Sequence, residues 1–154
     1  MKIKNDRFDF SKLGNLVFLK ESDFAEWFKH NYFLFGLKSI IINRMFPDVI
    51  AETYFDTTIN IELELCANSF KYHGHDPNSC DLIISFVKSF RMDNVKGVPV
   101  LSIFNGSGFT GGSSYDLASL ELTDYFKNMV IFFERSLSAF ISKESALQDF
   151  YDLS

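Results

Sequence analysis

The sequence predicts an α/β domain in which an N-terminal helix, a mixed four- or five-stranded sheet and a long C-terminal helix share one core. Three observations carry this expectation. Aromatic residues recur at helical spacing after Ser22, namely Phe24, Trp27, Phe28, Tyr32 and Phe35. Ile59, Ile61, Leu63 and Leu65 alternate with Asn60, Glu62, Glu64 and Cys66, the period of a strand. A stripe of Phe126, Met129, Val130, Phe133, Leu137, Phe140 and Ile141 steps by three and four, the period of a helix that packs one face on a core. The chain has 154 residues, 47% of them hydrophobic and 23% charged, which fits a single domain over residues 1–154 that needs no staples. Its 19 Phe and 3 Pro argue against disorder, because such a chain can bury ample apolar surface.

Taken in order, residues 1–19 are a polar lead-in ending in Leu16–Leu19, which reads either as a short strand or as an anchor. Ser22 is placed to cap the first helix, and Gly36 ends it. Lys38–Met45 is β-branched and reads as a strand or as the tail of a helical hairpin. Val49–Tyr54 and Ile59–Cys66 form two strands, and the intervening Phe55–Thr58 folds them into a hairpin. Asp81–Val87 is nearly continuous in apolar residues, as a strand buried on both faces would be. A charged loop, Lys88–Gly97, leads to the strand Val98–Phe104, where Pro99 requires an edge position or the start of the strand.

Gly106, Gly108 and Gly111 then follow a strand in G-x-G-x-x-G order. A dinucleotide site is rejected, because the fingerprint needs a helix opening at its third glycine, a second parallel strand and an acid about twenty residues on. The segment reads as a loop. Thr123 caps the C-terminal helix, and a short helix from Ser145 carries Leu147, Phe150 and Tyr151. Aromatics that continue to the end of the chain make a homodimer through this tail an open possibility.

The chemistry concentrates between Phe46 and Phe86. Glu62 and Glu64 share one face of a strand, with Cα atoms roughly 7 Å apart. The hairpin brings Asp48, just before the preceding strand, beside the far end of the next, so three acids converge. His73, His75, Cys80 and Asp81 follow closely. Two glutamates at alternate positions are also what the solvated face of an antiparallel strand presents, and Pro-Asp before a strand is also an ordinary turn. Cys66, His73, His75 and Cys80 are ligand types that zinc prefers, although no C-x-x-C pair is present.

Pro47-Asp48 ahead of one strand, and Glu62-Leu63-Glu64 on the next, resemble the catalytic core of the restriction-endonuclease-like, or PD-(D/E)XK, nuclease superfamily, in its Glu-x-Glu variant. The segment from Phe70 through His73, His75, Asp76, Pro77, Cys80 and Asp81 resembles that of small members of the same superfamily, and the likeness covers about residues 20–90. It implies a restriction-endonuclease-like core and a Mg²⁺- or Mn²⁺-dependent endonuclease acting on DNA. Asp48, Glu62 and Glu64 are then the catalytic and metal-binding acids. His73, His75, Cys80 and Asp81 flank the site. It further implies an acid on the helix before the sheet, for which Glu26 is the first choice and Glu21 the second. The usual lysine is Glu64 here, and Lys71 is the nearest cation that could reach back over the site.

The net charge of −5 counts against indiscriminate phosphate binding, though metal in a carboxylate site changes the local balance. The first residues lack an apolar signal segment and no apolar run approaches a membrane span, so a cytoplasmic protein with reduced thiols is expected. Two other classes remain. A catalytically inactive binding module of the same fold would bind metal weakly or not at all. A small zinc-stabilised structural protein would carry stoichiometric zinc and collapse on chelation.

Overall fold

In the computed structural model, residues 21–43, 45–106 and 120–129 are described. Helix α1, Glu21–Asn31, follows from the aromatic spacing: Phe24 and Phe28 fall on its buried side, and Phe24 stacks on Trp27 at 5.8 Å. Acidic Glu21 and Asp23 in its first turn and basic Lys29 and His30 in its last complement the helix dipole. Ser22, expected as the cap, lies inside the helix. A 3-10 turn, Tyr32–Phe35, follows and ends at Gly36, whose φ of +74° is the left-handed conformation that glycine adopts without a Cβ clash.

The chain then enters strand β1, Leu37–Ile42, so Lys38–Ile42 of the expected segment is strand rather than helix tail. The other strands are β2 Val49–Thr53, β3 Thr58–Cys66, β4 Leu82–Ser89, β5 Asn94–Val95, β6 Val98–Gly106 and β7 Glu121–Leu122. They form a mixed sheet in the order β1-β2-β3-β4-β6-β5, with β7 also paired to β6. Neighbours are antiparallel from β1 to β3, parallel from β3 through β4 to β6, and antiparallel again for β5 and β7. Five strands have the expected length. The four- or five-strand expectation missed β5 and β7, because a two-residue pairing carries no periodic signal. Pro99 is the second residue of β6, ahead of the ladder to β4 that begins at Val100, so its missing N–H interrupts no bond there.

The registers locate the site. β2 pairs with β3 from Val49 opposite Ile61 to Glu52 opposite Thr58. Residues Glu62–Cys66 of β3 therefore extend past the end of β2, while β4 continues to pair with them on the other side as far as Val87. The parallel β3–β4 connection crosses through two 3-10 turns, Ala67–Tyr72 and Pro77–Ser79, in place of the usual crossover helix. Asp81 clips the start of β4 to β3: its Oδ2 accepts from the Asn60 N–H at 2.7 Å, and its own N–H donates to the Asn60 carbonyl at 2.8 Å.

One core cluster holds Phe24 and Phe28 of α1, Leu34, Phe35, the β3 residues Ile61, Leu63 and Leu65, and Phe86, Phe104 and Phe126. A smaller one gathers Ala67 and Phe70 of the crossover with Ile83, Val95 and Val98. Thr123 caps residues 124–129, which are helical: its Oγ1 accepts from the Phe126 N–H at 3.4 Å and donates to the Ser102 carbonyl at 2.7 Å. The rest of the expected C-terminal helix, the short helix from Ser145, the lead-in with Leu16–Leu19 and the glycine-rich loop beyond Gly106 lie outside the described residues. No helix among the described residues is long and apolar enough to cross a membrane.

Packing of α1 on the sheet yields the first prediction. Phe28 is wholly buried and Phe55 is 89% exposed, so Phe28→Ala should cost about 3–5 kcal/mol and Phe55→Ala close to nothing. Urea unfolding of the two variants checks this, and equal midpoints would contradict it.

Candidate metal centre

The site is built at the notch where β2 ends. Asn43 holds the turn before it, donating its backbone N–H to the Asp48 carbonyl at 2.8 Å and its side-chain Nδ2 to the Pro47 carbonyl at 3.2 Å. Asp48 then stands where a further β2 residue would be. Its Oδ2 accepts from the Leu63 N–H at 3.0 Å, replacing a strand carbonyl, and its own N–H donates to Glu62 Oε1 at 3.2 Å. A carboxylate that takes over an orphaned strand donor is fixed in position by the fold.

Glu62 and Glu64 point to one side of β3, as the period of two demands, and that side is not solvated. Both are buried, Glu64 completely. The crossover covers them and supplies two imidazoles. His73 Nδ1 lies 2.6 Å from Glu64 Oε1, and His75 Nε2 lies 3.3 Å from Glu62 Oε2. His75 is held flat against Phe46, with ring centroids 4.2 Å apart and planes 7° from parallel. The Glu64–His73 approach is close without being a well-aligned hydrogen bond, and among the described residues Glu64 Oε2 has no hydrogen-bond partner. From the first turn of α1, Glu21 reaches the same place: ligand atoms of Glu21, Glu64 and His73 lie within 4.8 Å of one another. A cleft of about 360 Å³ opens beside the group, lined by Glu21, Ser22, Ala25, Lys29, Asn43 and Asp48 among others.

The electrostatics follow from burial and crowding. Loss of hydration raises Glu62 to about 9, with a carboxyl–carboxylate contact to Asp48 and its charge adding to the effect. Burial raises Glu64 to about 10, and Glu21, Glu62 and Asp48 push in the same direction through their charges. The His73 imidazole opposes that push when it carries a proton; the upward direction rests on the burial of a wholly enclosed carboxyl. Glu21 is raised as well, first by burial and then by Asp48. Without a cation the cluster therefore holds protons at neutral pH, and a divalent ion would take their place.

The structure brings Asp48, Glu62, Glu64, His73 and His75 together and leaves the other expected residues elsewhere. Glu26 lines the cleft but is exposed, bound to Lys29 at 3.1 Å and beside His30 at 3.5 Å, and these partners lower its pKa. Glu21, the second choice, lies beside Glu64 and His73. Lys71 is exposed, with its ammonium over the Tyr72 ring, 5.1 Å from the centroid, rather than over the acids. Asp81 belongs to the β3–β4 clip.

Cys80 directs its thiol to the Leu82 carbonyl at 3.3 Å, and burial pushes it up to about 11; burial pushes Cys66 up to about 12. The Cys66–His73–His75–Cys80 zinc set is not assembled, since both histidines turn to the glutamates instead. Phe46, the ring that holds His75, went unrecognised in the sequence; its place immediately before Pro47-Asp48 was the available signal. Comparison of the chain with protein-family models, with curated proteins and with solved structures finds no match.

The raised carboxyls predict an unusual pH dependence. A carboxyl with a higher pKa folded than unfolded stabilises the fold fully below its unfolded value, near 4.5, and that contribution is lost as pH rises toward about 9 and 10. In chelator, the melting temperature of the wild type should fall steadily between pH 5 and pH 8, and Glu64→Gln should flatten the slope. A melting temperature that rises over this window, as it does when paired carboxylates dominate, would contradict the assignment.

Proposed function

We propose that this protein is a metal-dependent nuclease that hydrolyses phosphodiester bonds in DNA, built on a restriction-endonuclease-like core. The observation that carries the reading is the approach of half-buried Asp48 to the buried Glu62 and Glu64 at one strand end, with the Glu64 oxygens unpartnered among the described residues. The order of elements also supports it: a helix, an antiparallel hairpin with Pro47-Asp48 at its entrance to β2 and Glu62-Leu63-Glu64 on β3, then a parallel strand. The donor set fits Mg²⁺ or Mn²⁺, since carboxylate oxygens are the ligands such ions favour.

Asp48, Glu62 and Glu64 would hold the metal. When bound, it supplies a water of lowered pKa and neutralises charge on the phosphate. The protein's own groups do the rest. The backbone N–H groups of Asp48 and Leu63 fix the directions of the Glu62 and Asp48 carboxylates. His75, locked by Phe46, orients Glu62 from behind, and His73 Nδ1 lies against Glu64 Oε1. The cleft beside Asp48 receives the substrate. Lys29 on its wall supplies the cation that Lys71 does not, although Glu26 shares its charge.

A catalytically inactive binding module is the second reading. It is favoured by Ile41, Ile42 and Met45, which are exposed on and just after the edge strand β1, with Ile42 also lining the cleft.

Cleavage of labelled single- and double-stranded DNA with added Mg²⁺ or Mn²⁺ separates the two. The nuclease reading expects metal-dependent product, a loss of about a hundredfold or more in Asp48→Asn and Glu64→Gln, and an unchanged rate in Lys71→Ala. Absence of cleavage with either metal would leave the binding module.

A further inference from the structure

We infer that the centre is selective for a first-row transition-metal dication, of the Mn²⁺, Fe²⁺, Co²⁺ or Zn²⁺ class, over Mg²⁺, and that His73 Nδ1 is one of its ligands together with Glu64 and Glu21. The inference rests on the carboxylate cluster being a metal centre, as in the proposed function, but not on any hydrolysis taking place there.

The geometry is close to that of a coordination sphere. Ligand atoms bound at about 2.0–2.2 Å to one ion are at most about 4.4 Å apart. The oxygens of Glu21 and Glu64 and a nitrogen of His73 already lie within 4.8 Å of one another, so shifts of a few tenths of an ångström complete the set. The second observation is independent of that clustering. Glu64 is 0% exposed, and neither oxygen of its carboxyl, which belongs to the group, has a hydrogen-bond partner among the described residues, an arrangement that is costly unless something else binds those oxygens.

The imidazole decides which ion. His73 Nδ1 lies 2.6 Å from Glu64 Oε1, and one face of the site is therefore a nitrogen donor. Mg²⁺ prefers oxygen and keeps its waters, whereas imidazole suits the later first-row ions, whose affinities for a mixed N/O site rise along the Irving–Williams order. His75 is engaged differently, tied to Glu62 and stacked on Phe46, so the two histidines have separate roles: His73 at the ion, His75 behind a carboxylate. Glu21 comes from α1 and the other two from β3 and the crossover, so one ion would join three elements.

Titration calorimetry of the full chain with MnCl₂, ZnCl₂ and MgCl₂ tests the selectivity, and pulsed EPR of the Mn²⁺-loaded protein tests the ligand. The expected result is at least about tenfold tighter binding of Mn²⁺ and Zn²⁺ than of Mg²⁺, with ¹⁴N modulation from a directly bound imidazole. His73→Ala should lose both, while His75→Ala keeps the ¹⁴N signal. Equal affinity for Mg²⁺, or a wild-type Mn²⁺ spectrum without ¹⁴N modulation, overturns the inference; the latter holds even if His73→Ala fails to fold. A protein that binds Mn²⁺ through nitrogen but cleaves no DNA upholds this inference and removes only the nuclease reading. A protein that cleaves with Mg²⁺ and keeps its metal preference in His73→Ala does the reverse. Failure to bind any of the three ions removes both.

Discussion

Everything at this site depends on one mismatch of strand lengths. β2 begins at Val49 opposite Ile61, but β3 runs on to Cys66, so the second half of β3 lacks a backbone partner on that side. Buried strand donors must be satisfied, and the Asp48 carboxylate does this for Leu63. That single substitution of a side chain for a strand fixes Asp48, brings its own N–H onto Glu62, and leaves a gap through which Glu21 of α1 reaches the same point. Had β2 continued for two more residues, the acids would be separated by a strand.

The arrangement runs against stability. A strand in the middle of a sheet, covered on both sides, is where apolar residues are most favourable, and β3 instead buries Glu62 and Glu64. Partial compensation comes from His73 and His75, but Glu64 retains an oxygen with no donor. Proteins retain such groups where a ligand or a reaction needs them, and buried groups with strongly displaced pKa values gather at functional sites. Here the displaced carboxyls, the imidazoles and the cleft coincide, which is the ground for the proposed cation.

Much of this was legible in the sequence. Alternation from Ile59 to Cys66 fixed which residues share a face, and the short Phe55–Thr58 connection implied the hairpin that sets Asp48 beside Glu62; both are properties of strand period and loop length. What the alternation does not contain is whether the polar face is wet. That depends on the crossover after β3, whose 3-10 turns carry no period and yet fold His73 and His75 over the glutamates. That Glu21 and not Glu26 comes within 4.8 Å of the Glu64 and His73 ligand atoms was illegible for a similar reason. Both lie on α1, and which one meets the site depends on where the helix sits along the sheet, a tertiary quantity. Lys71 was close in sequence but is turned to Tyr72.

The account's central claim is that the fold holds buried carboxyl groups which remain protonated at neutral pH until a cation replaces the protons. Carboxyl ¹³C NMR of protein labelled at glutamate Cδ, titrated in chelator from pH 4 to pH 10, observes those groups directly. Two resonances assigned through Glu62→Gln and Glu64→Gln should titrate well above the ordinary carboxylate range, toward about 9 and 10, and should shift to the ionised position at pH 7 once Mn²⁺, or diamagnetic Zn²⁺ where line broadening intervenes, is added. Glu62 and Glu64 titrating near 4.5 with the other glutamates, with or without metal, would contradict the account.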